Sequence, residues 1–313
     1  MCDYFLDKSE QLKALESGKG VQYILDEAYK ILGNPLLAHD MEYKLFAYNK
    51  DAVNDDPIWN ELTTYGTVDL NRLEFYKNET FFDMAAYAEK VTFLPSDRLK
   101  YDRIFGKLFT RDQIQVGCVV IHACDKPFGN SDMELFEIVC DILNKELSES
   151  EYYQNYGQAY MEILVGKLIE GRIDNKLLYT AHIESIYKGL KENIRLAVAD
   201  ISRIDPTFNR LVFFRDLFKR TQPSFKYAMY LNHIVILMSS DSEAFHIKQD
   251  LHELYRIFEQ NNIYAGISSR FDNLFGLSRY YNEAVDTLKH GLKTNGGQRI
   301  FFYDEVMQNI SRT

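Results

Sequence analysis

Residues 263–306 read IYAGISSRFDNLFGLSRYYNEAVDTLKHGLKTNGGQRIFFYDEV, and their periodicity decides the fold of the C-terminal half. Ile263, Ala265 and Ile267 alternate with Tyr264, Gly266 and Ser268, the period of a strand with one buried face. Asp272 or Asn273 is placed to cap a following helix, because a short side-chain oxygen accepts from an unpaired first-turn N–H. Leu277, Tyr280, Tyr281, Ala284, Leu288 and Leu292 then fall on one helical face. Asn295-Gly296-Gly297 breaks the chain, and residues 299–303 return as a short apolar strand.

Working outward, residues 194–201 read as a strand and 206–219 as a helix. Residues 226–230 and 233–238 form a hairpin around Leu231-Asn232, and 242–261 form a second helix. The order βαββαβ is the ferredoxin-like arrangement shared with nucleotide cyclases. A working cyclase needs two carboxylates for Mg²⁺ and a Gly-rich hairpin that lets backbone approach phosphate. Asp200 ends the first strand, but Tyr230-Leu231-Asn232-His233 has no Gly, Asp or Glu. No P-loop or nucleophile-elbow motif occurs. No enzyme activity, catalytic residue, cofactor or metal is therefore expected.

Gly266-Ile267-Ser268, then Tyr281-Asn282-Glu283-Ala284 with Leu288 and Gly291, then Ile300 with Phe302-Tyr303-Asp304, resemble the end of the degenerate GGDEF-like domain of PucR/CdaR-type bacterial transcription regulators. Leu168-Ile169, Gly171, Ile173, Asp174 and Leu178 match what that family carries just before the domain. The resemblance implies a sensor domain, a coupling helix, a non-catalytic GGDEF-like domain at 193–306 and a tail at 307–313. It also implies a DNA-reading helix-turn-helix beyond residue 313.

Upstream, residues 1–20 hold a leading helix and 21–147 a first domain. A helix over 21–32 ends at Gly33-Asn34-Pro35. Strands follow at 36–39 and 44–48, and a helix starts at Asp56-Pro57. Residues 67–90 are mostly helical in pattern. Strands lie at 91–94, 103–110 and 115–122, and a closing helix follows Ser131. The pattern is α+β. Residues 115–147 resemble a GAF domain, with PAS fitting nearly as well, and such domains commonly hold a small molecule against the sheet.

Aromatic residues crowd 59–110. Trp59, Phe82, Phe93 and Tyr101 are ligand-binding candidates with Arg103 and His122, set against the plainer reading of an ordinary core. Arg103 suits an anionic effector, since a guanidinium grips a carboxylate with two hydrogen bonds. The alternative is a solvated surface charge. His122 and Cys124 share a strand face, but two ligands are too few for structural zinc.

Residues 148–192 read as a helical linker, with a polar stretch at 148–151. Ile142, Tyr153, Tyr156, Tyr160 and Ile163 could form a homodimer seam. Packing within one chain is the equal alternative.

The chain has 313 residues, a formal charge of −10 and 46% hydrophobic residues, enough for two cores. That charge argues against wrapping nucleic acid directly, so DNA is a partner only through the implied further domain. Four cysteines without a CxxC pair fit reduced thiols. No leader or membrane span is read, which places the chain in the cytoplasm. The function expected is effector sensing and dimerisation for a transcription regulator. Alternatives are a divergent nucleotide-binding or cyclase-like enzyme and a ligand-free dimerisation scaffold.

Overall fold

Helix α2 (Val21–Leu32) forms because Val21, Ile24, Leu25, Ala28 and Leu32 make one buried stripe. It ends where Gly33 turns left-handed at φ 75° and donates its N–H to Tyr29 O at 2.7 Å. In this computed structural model the described residues are 2–15, 18–68, 90–96, 100–111, 113–173, Ile183, Ile186, 190–191, 193–202, 208–240, 251–294 and 297–310. The expected helical stretch at 67–90 and the helix around 181–190 lie largely outside them.

The first domain adds α1 (Cys2–Lys13), β1 (Leu36–Asp40), β2 (Leu45–Tyr48), α3 (Pro57–Tyr65), β3 (Val91–Leu94), β4 (Arg103–Phe109), β5 (Gln115–His122) and α4 (Asp132–Glu149). Its antiparallel sheet runs β2-β1-β5-β4-β3. Leu36, Ala38, Ile104, Leu108, Val119 and Ile121 turn one face toward α2 and α4, where Phe136 is fully buried. Such a side chain stabilises by about 1.5–3 kcal/mol.

The closing helix does not run on unbroken. Ser150 is extended (φ −85°, ψ 118°) and separates α4 from α5 (Glu151–Glu170). The polar stretch at 148–151 is thus a break. Gly171 (φ 67°) closes α5, with Arg172 N–H donating to Lys167 O at 3.0 Å. The chain divides into two compact units, 1–158 with 176–185 and 159–175 with 186–313, so that the first boundary falls within α5.

The second unit carries β6 (Asn193–Asp200), α6 (Phe208–Thr221), β7 (Lys226–Tyr230), β8 (His233–Ser240), α7 (His252–Gln260), β9 (Tyr264–Ile267), α8 (Leu277–Thr294), β10 (Ile300–Phe302) and α9 (Tyr303–Ile310). Its sheet runs β10-β9-β6-β8-β7, with β10 parallel to β9 and the other pairs antiparallel. Phe214, Phe218, Leu254 and Phe258 of α6 and α7 form a core with one face of the sheet. Helix α8 lies along β9 and β6.

The resemblance residues have a packing role. A Cβ at Gly266 would meet the Ala284 carbonyl oxygen and the Leu288 amide of α8, and one at Gly291 would meet the Phe301 ring. Asn273 caps a single 3₁₀ turn, accepting from Phe275 N–H at 2.8 Å, before α8 begins. The chain is therefore α+β, as its sequence indicates: a GAF/PAS-like sheet domain, helix α5, and a ferredoxin-like βαββαβ domain with one added strand.

Candidate functional site

The second face of the first sheet is built in registered rows. Leu37, Val120 and Phe105 pair across β1, β5 and β4 and form an apolar middle row. His122 pairs with Arg103 on one side of it, and His39, Cys118 and Lys107 pair on the other. Trp59 and Leu62 of α3 pack against Leu37 and Val120. Arg103, Lys107, His39 and His122 are all buried, an unusual load of basic side chains for one sheet face.

Local sequence fixes α3 over that face. Asp56-Pro57 starts the helix: Asp56 Oδ1 accepts from Ile58 N–H at 3.0 Å and Trp59 N–H at 3.1 Å. The other oxygen, Oδ2, accepts from Arg103 Nη2 at 2.5 Å. Asp56 is wholly buried and Arg103 is 3% exposed, so the pair compensates two charges away from water. Asn54 Oδ1 accepts from Asp56 N–H at 2.9 Å, and its amide nitrogen lies 3.3 Å from His122 Nδ1.

Burial pushes the His122 imidazole well below its ordinary pKa, and the Arg103 charge pushes it the same way. His122 is therefore neutral, with Nδ1 accepting from Asn54. Its ring meets Trp59 edge-on, centroids 5.1 Å apart. Among the described residues the buried Arg103 Nε–H has no hydrogen-bond partner, and an orphaned buried donor costs free energy. At the rim, Tyr101 Oη donates to Asp55 Oδ1 at 2.5 Å, and Lys100 pairs with the same carboxylate. The Tyr101 hydroxyl is pushed up to about 12, first by that hydrogen bond.

Of the residues singled out from sequence, Trp59, Arg103 and His122 come together. Tyr101 stands beside them through Asp55, next in sequence to Asp56. Phe93 does not join them: opposite Ile104 in register, it lies on the other face, 39% exposed and edge-on to Phe128 at 6.3 Å. Phe82 lies outside the described residues. Arg103 is not the solvated charge that was its plainer reading. Sequence reasoning missed Asn54 and the second role of Asp56. The Asp-Pro helix start marked Asp56 as a cap, but nothing local links it to an arginine 47 positions away.

The seam residues are mostly engaged within the chain, as the alternative reading allowed. Ile142, Tyr153 and Tyr156 pack against the first core, and Tyr160 is buried. Ile163 is 53% exposed. Among the described residues, no three His, Cys, Asp or Glu side chains gather as metal ligands, His122 and Cys124 included. None of the described helices is long and apolar enough to cross a membrane.

In the second domain, Leu231 (φ 52°) and Asn232 make the two-residue turn between β7 and β8. Asp200 Oδ1 accepts from Ser202 N–H at 2.8 Å. Beside the turn, His233 Nδ1 lies 2.7 Å from Tyr281 Oη. Burial pushes the imidazole down and the phenol up to about 12, so the hydroxyl donates to a neutral ring.

A family model described as a GGDEF-like domain matches residues 190–290, less than half of the chain. The second domain is similar to GGDEF-like domains. Among solved structures, the chain is similar to the GAF domain of a protein described as a sensor histidine kinase from Pseudomonas syringae pv. tomato. That likeness has 12% identity and a TM-score of 0.31, over 49% of this chain and 89% of the other. No curated protein matches the chain.

Proposed function

We propose that this chain is the ligand-sensing and dimerising region of a bacterial transcription regulator of the PucR/CdaR type. It is cytoplasmic and not an enzyme. Residues 21–147 take a small-molecule effector, 148–192 link the domains and form a homodimer, and 193–306 pass the signal toward a DNA-reading domain. The observation that carries this is the buried Arg103–Asp56 pair, whose Nε–H is unmet among the described residues, next to neutral His122 and the Trp59 ring that His122 touches. Folded proteins leave few buried donors open, and an open one beside aromatic side chains fits a position that a ligand acceptor completes.

A route from that face to α5 supports the reading. Strand β1 carries Leu37 and His39 on the candidate face and ends at Asp40. Asp40 Oδ2 accepts from Tyr156 Oη of α5 at 2.7 Å. Beside it, the missing side chain of Gly157 admits Thr110 Cγ2 to 2.8 Å and Val116 Cγ1 to 3.0 Å of where a Cβ would stand. An effector that favours one position of β1 would thereby bias the helix that enters the second domain. The non-catalytic part rests on the hairpin turn Leu231-Asn232, which offers no carboxylate to a metal.

Thermal unfolding of the chain against a broad metabolite set tests this. A ligand at a hundred times its Kd stabilises the fold by about 2.7 kcal/mol, enough to raise Tm by degrees. A hit confined to one chemical class is expected. Silence across the set, with a stable dimer by light scattering, would leave the scaffold reading instead.

A further inference from the structure

We infer that the molecule recognised at Arg103 is an uncharged planar compound bearing a carbonyl or amide acceptor, and not a carboxylate. This rests on the proposed reading of the outer sheet face as a ligand site.

Arg103 has five N–H donors. Asp56 accepts from Nη2, and Nε–H stays buried and unmet among the described residues. The site therefore asks for an acceptor. Its charge, however, is already balanced: Asp56 is wholly buried and its second oxygen is held by the first turn of α3. A carboxylate brought to Nε would be a second buried anion at the Arg103–Asp56 pair, beside neutral His122 and Asn54, with buried Lys107 two rows further along the same strand. Desolvating that extra charge is costly in a low-dielectric site, whereas a carbonyl oxygen satisfies the same donor without it. The surroundings favour a flat body. Trp59 and the Leu37–Val120–Phe105 row are closely packed there, so what reaches the donor must enter between aromatic and aliphatic side chains.

Matched pairs separate the two chemistries: nicotinamide against nicotinate, benzamide against benzoate, and indole-3-acetamide against indole-3-acetate. Each is titrated at millimolar concentration while thermal unfolding of the whole chain is followed. The amide of at least one pair is expected to raise Tm, with its acid about tenfold weaker or without effect. Arg103→Lys keeps a cation for Asp56 but loses the planar fork and the Nε–H at that position, and should weaken the amide about tenfold while the protein stays folded. Asp56→Asn keeps a cap oxygen and frees the guanidinium charge, so the preference should turn toward the acid.

An acid that binds wild type as well as or better than its amide overturns the proposal and leaves the sensor reading standing. So does an amide whose affinity survives Arg103→Lys. Silence from all three pairs overturns it too, and the sensor reading falls with it only if the wider metabolite set is also silent.

Discussion

One carboxylate, Asp56, starts helix α3 and neutralises Arg103, so the two partners differ in what their loss removes. Arg103→Ala leaves a buried anion held only by the helix start and should cost about 3–5 kcal/mol in urea unfolding. Arg103→Lys should cost distinctly less. Equal losses would mean that the charge is unimportant. Three histidines, His39, His122 and His233, are each pushed below their ordinary pKa by burial. The unfolded chain takes up protons first, so stability is fully present above the unfolded histidine pKa of about 6.5 and falls as pH drops below it. Each contributes a loss of up to about 1.4 kcal/mol per pH unit. Unfolding midpoints measured on either side of that pH should fall on the acid side, and His122→Gln should flatten the fall by one proton. A stability that rises on acidification would contradict the burial argument.

At the scale of elements, two glycines in the α8 region make a graded test. The neighbour of Gly266 is α8 backbone, which cannot move without the helix, whereas that of Gly291 is the root of the buried Phe301 ring, which yields only by a change of rotamer. Gly266→Ala should cost about 3 kcal/mol or more and Gly291→Ala about 1–2 kcal/mol, by denaturant unfolding. The reverse order would mean that α8 shifts as a body.

Sequence reading did well on these elements because strand alternation, the α8 stripe and the turn residues are local signals. It placed every strand of both sheets close to where they lie. It could not choose among aromatics: Trp59 and Phe93 look alike in sequence, and only the register of β3 on β4 sends Phe93 to the other face. It saw the polar stretch at 148–151 without deciding that Ser150 interrupts the helix. The Asp56–Arg103 pair was out of reach because long-range pairing leaves no periodic trace.

For the whole molecule, the proposed roles make separate demands. With GTP or ATP and Mg²⁺, no cyclic product is expected, and any such product would restore the enzyme reading. If exposed Ile163 on α5 lies in a homodimer seam, Ile163→Asp should convert a dimer to a monomer by light scattering with Tm little changed. An unaltered dimer would move the seam elsewhere. The central claim is that a small molecule is held at the Arg103 face, and the chain contains its own reporter there. Trp59 is its only tryptophan, buried and edge-on to His122. The direct measurement is tryptophan emission during titration with whichever metabolite raises Tm. The account predicts a saturable change in emission with the same midpoint as the stabilisation, lost in Arg103→Lys. A stabilising metabolite that leaves Trp59 emission unchanged would contradict it.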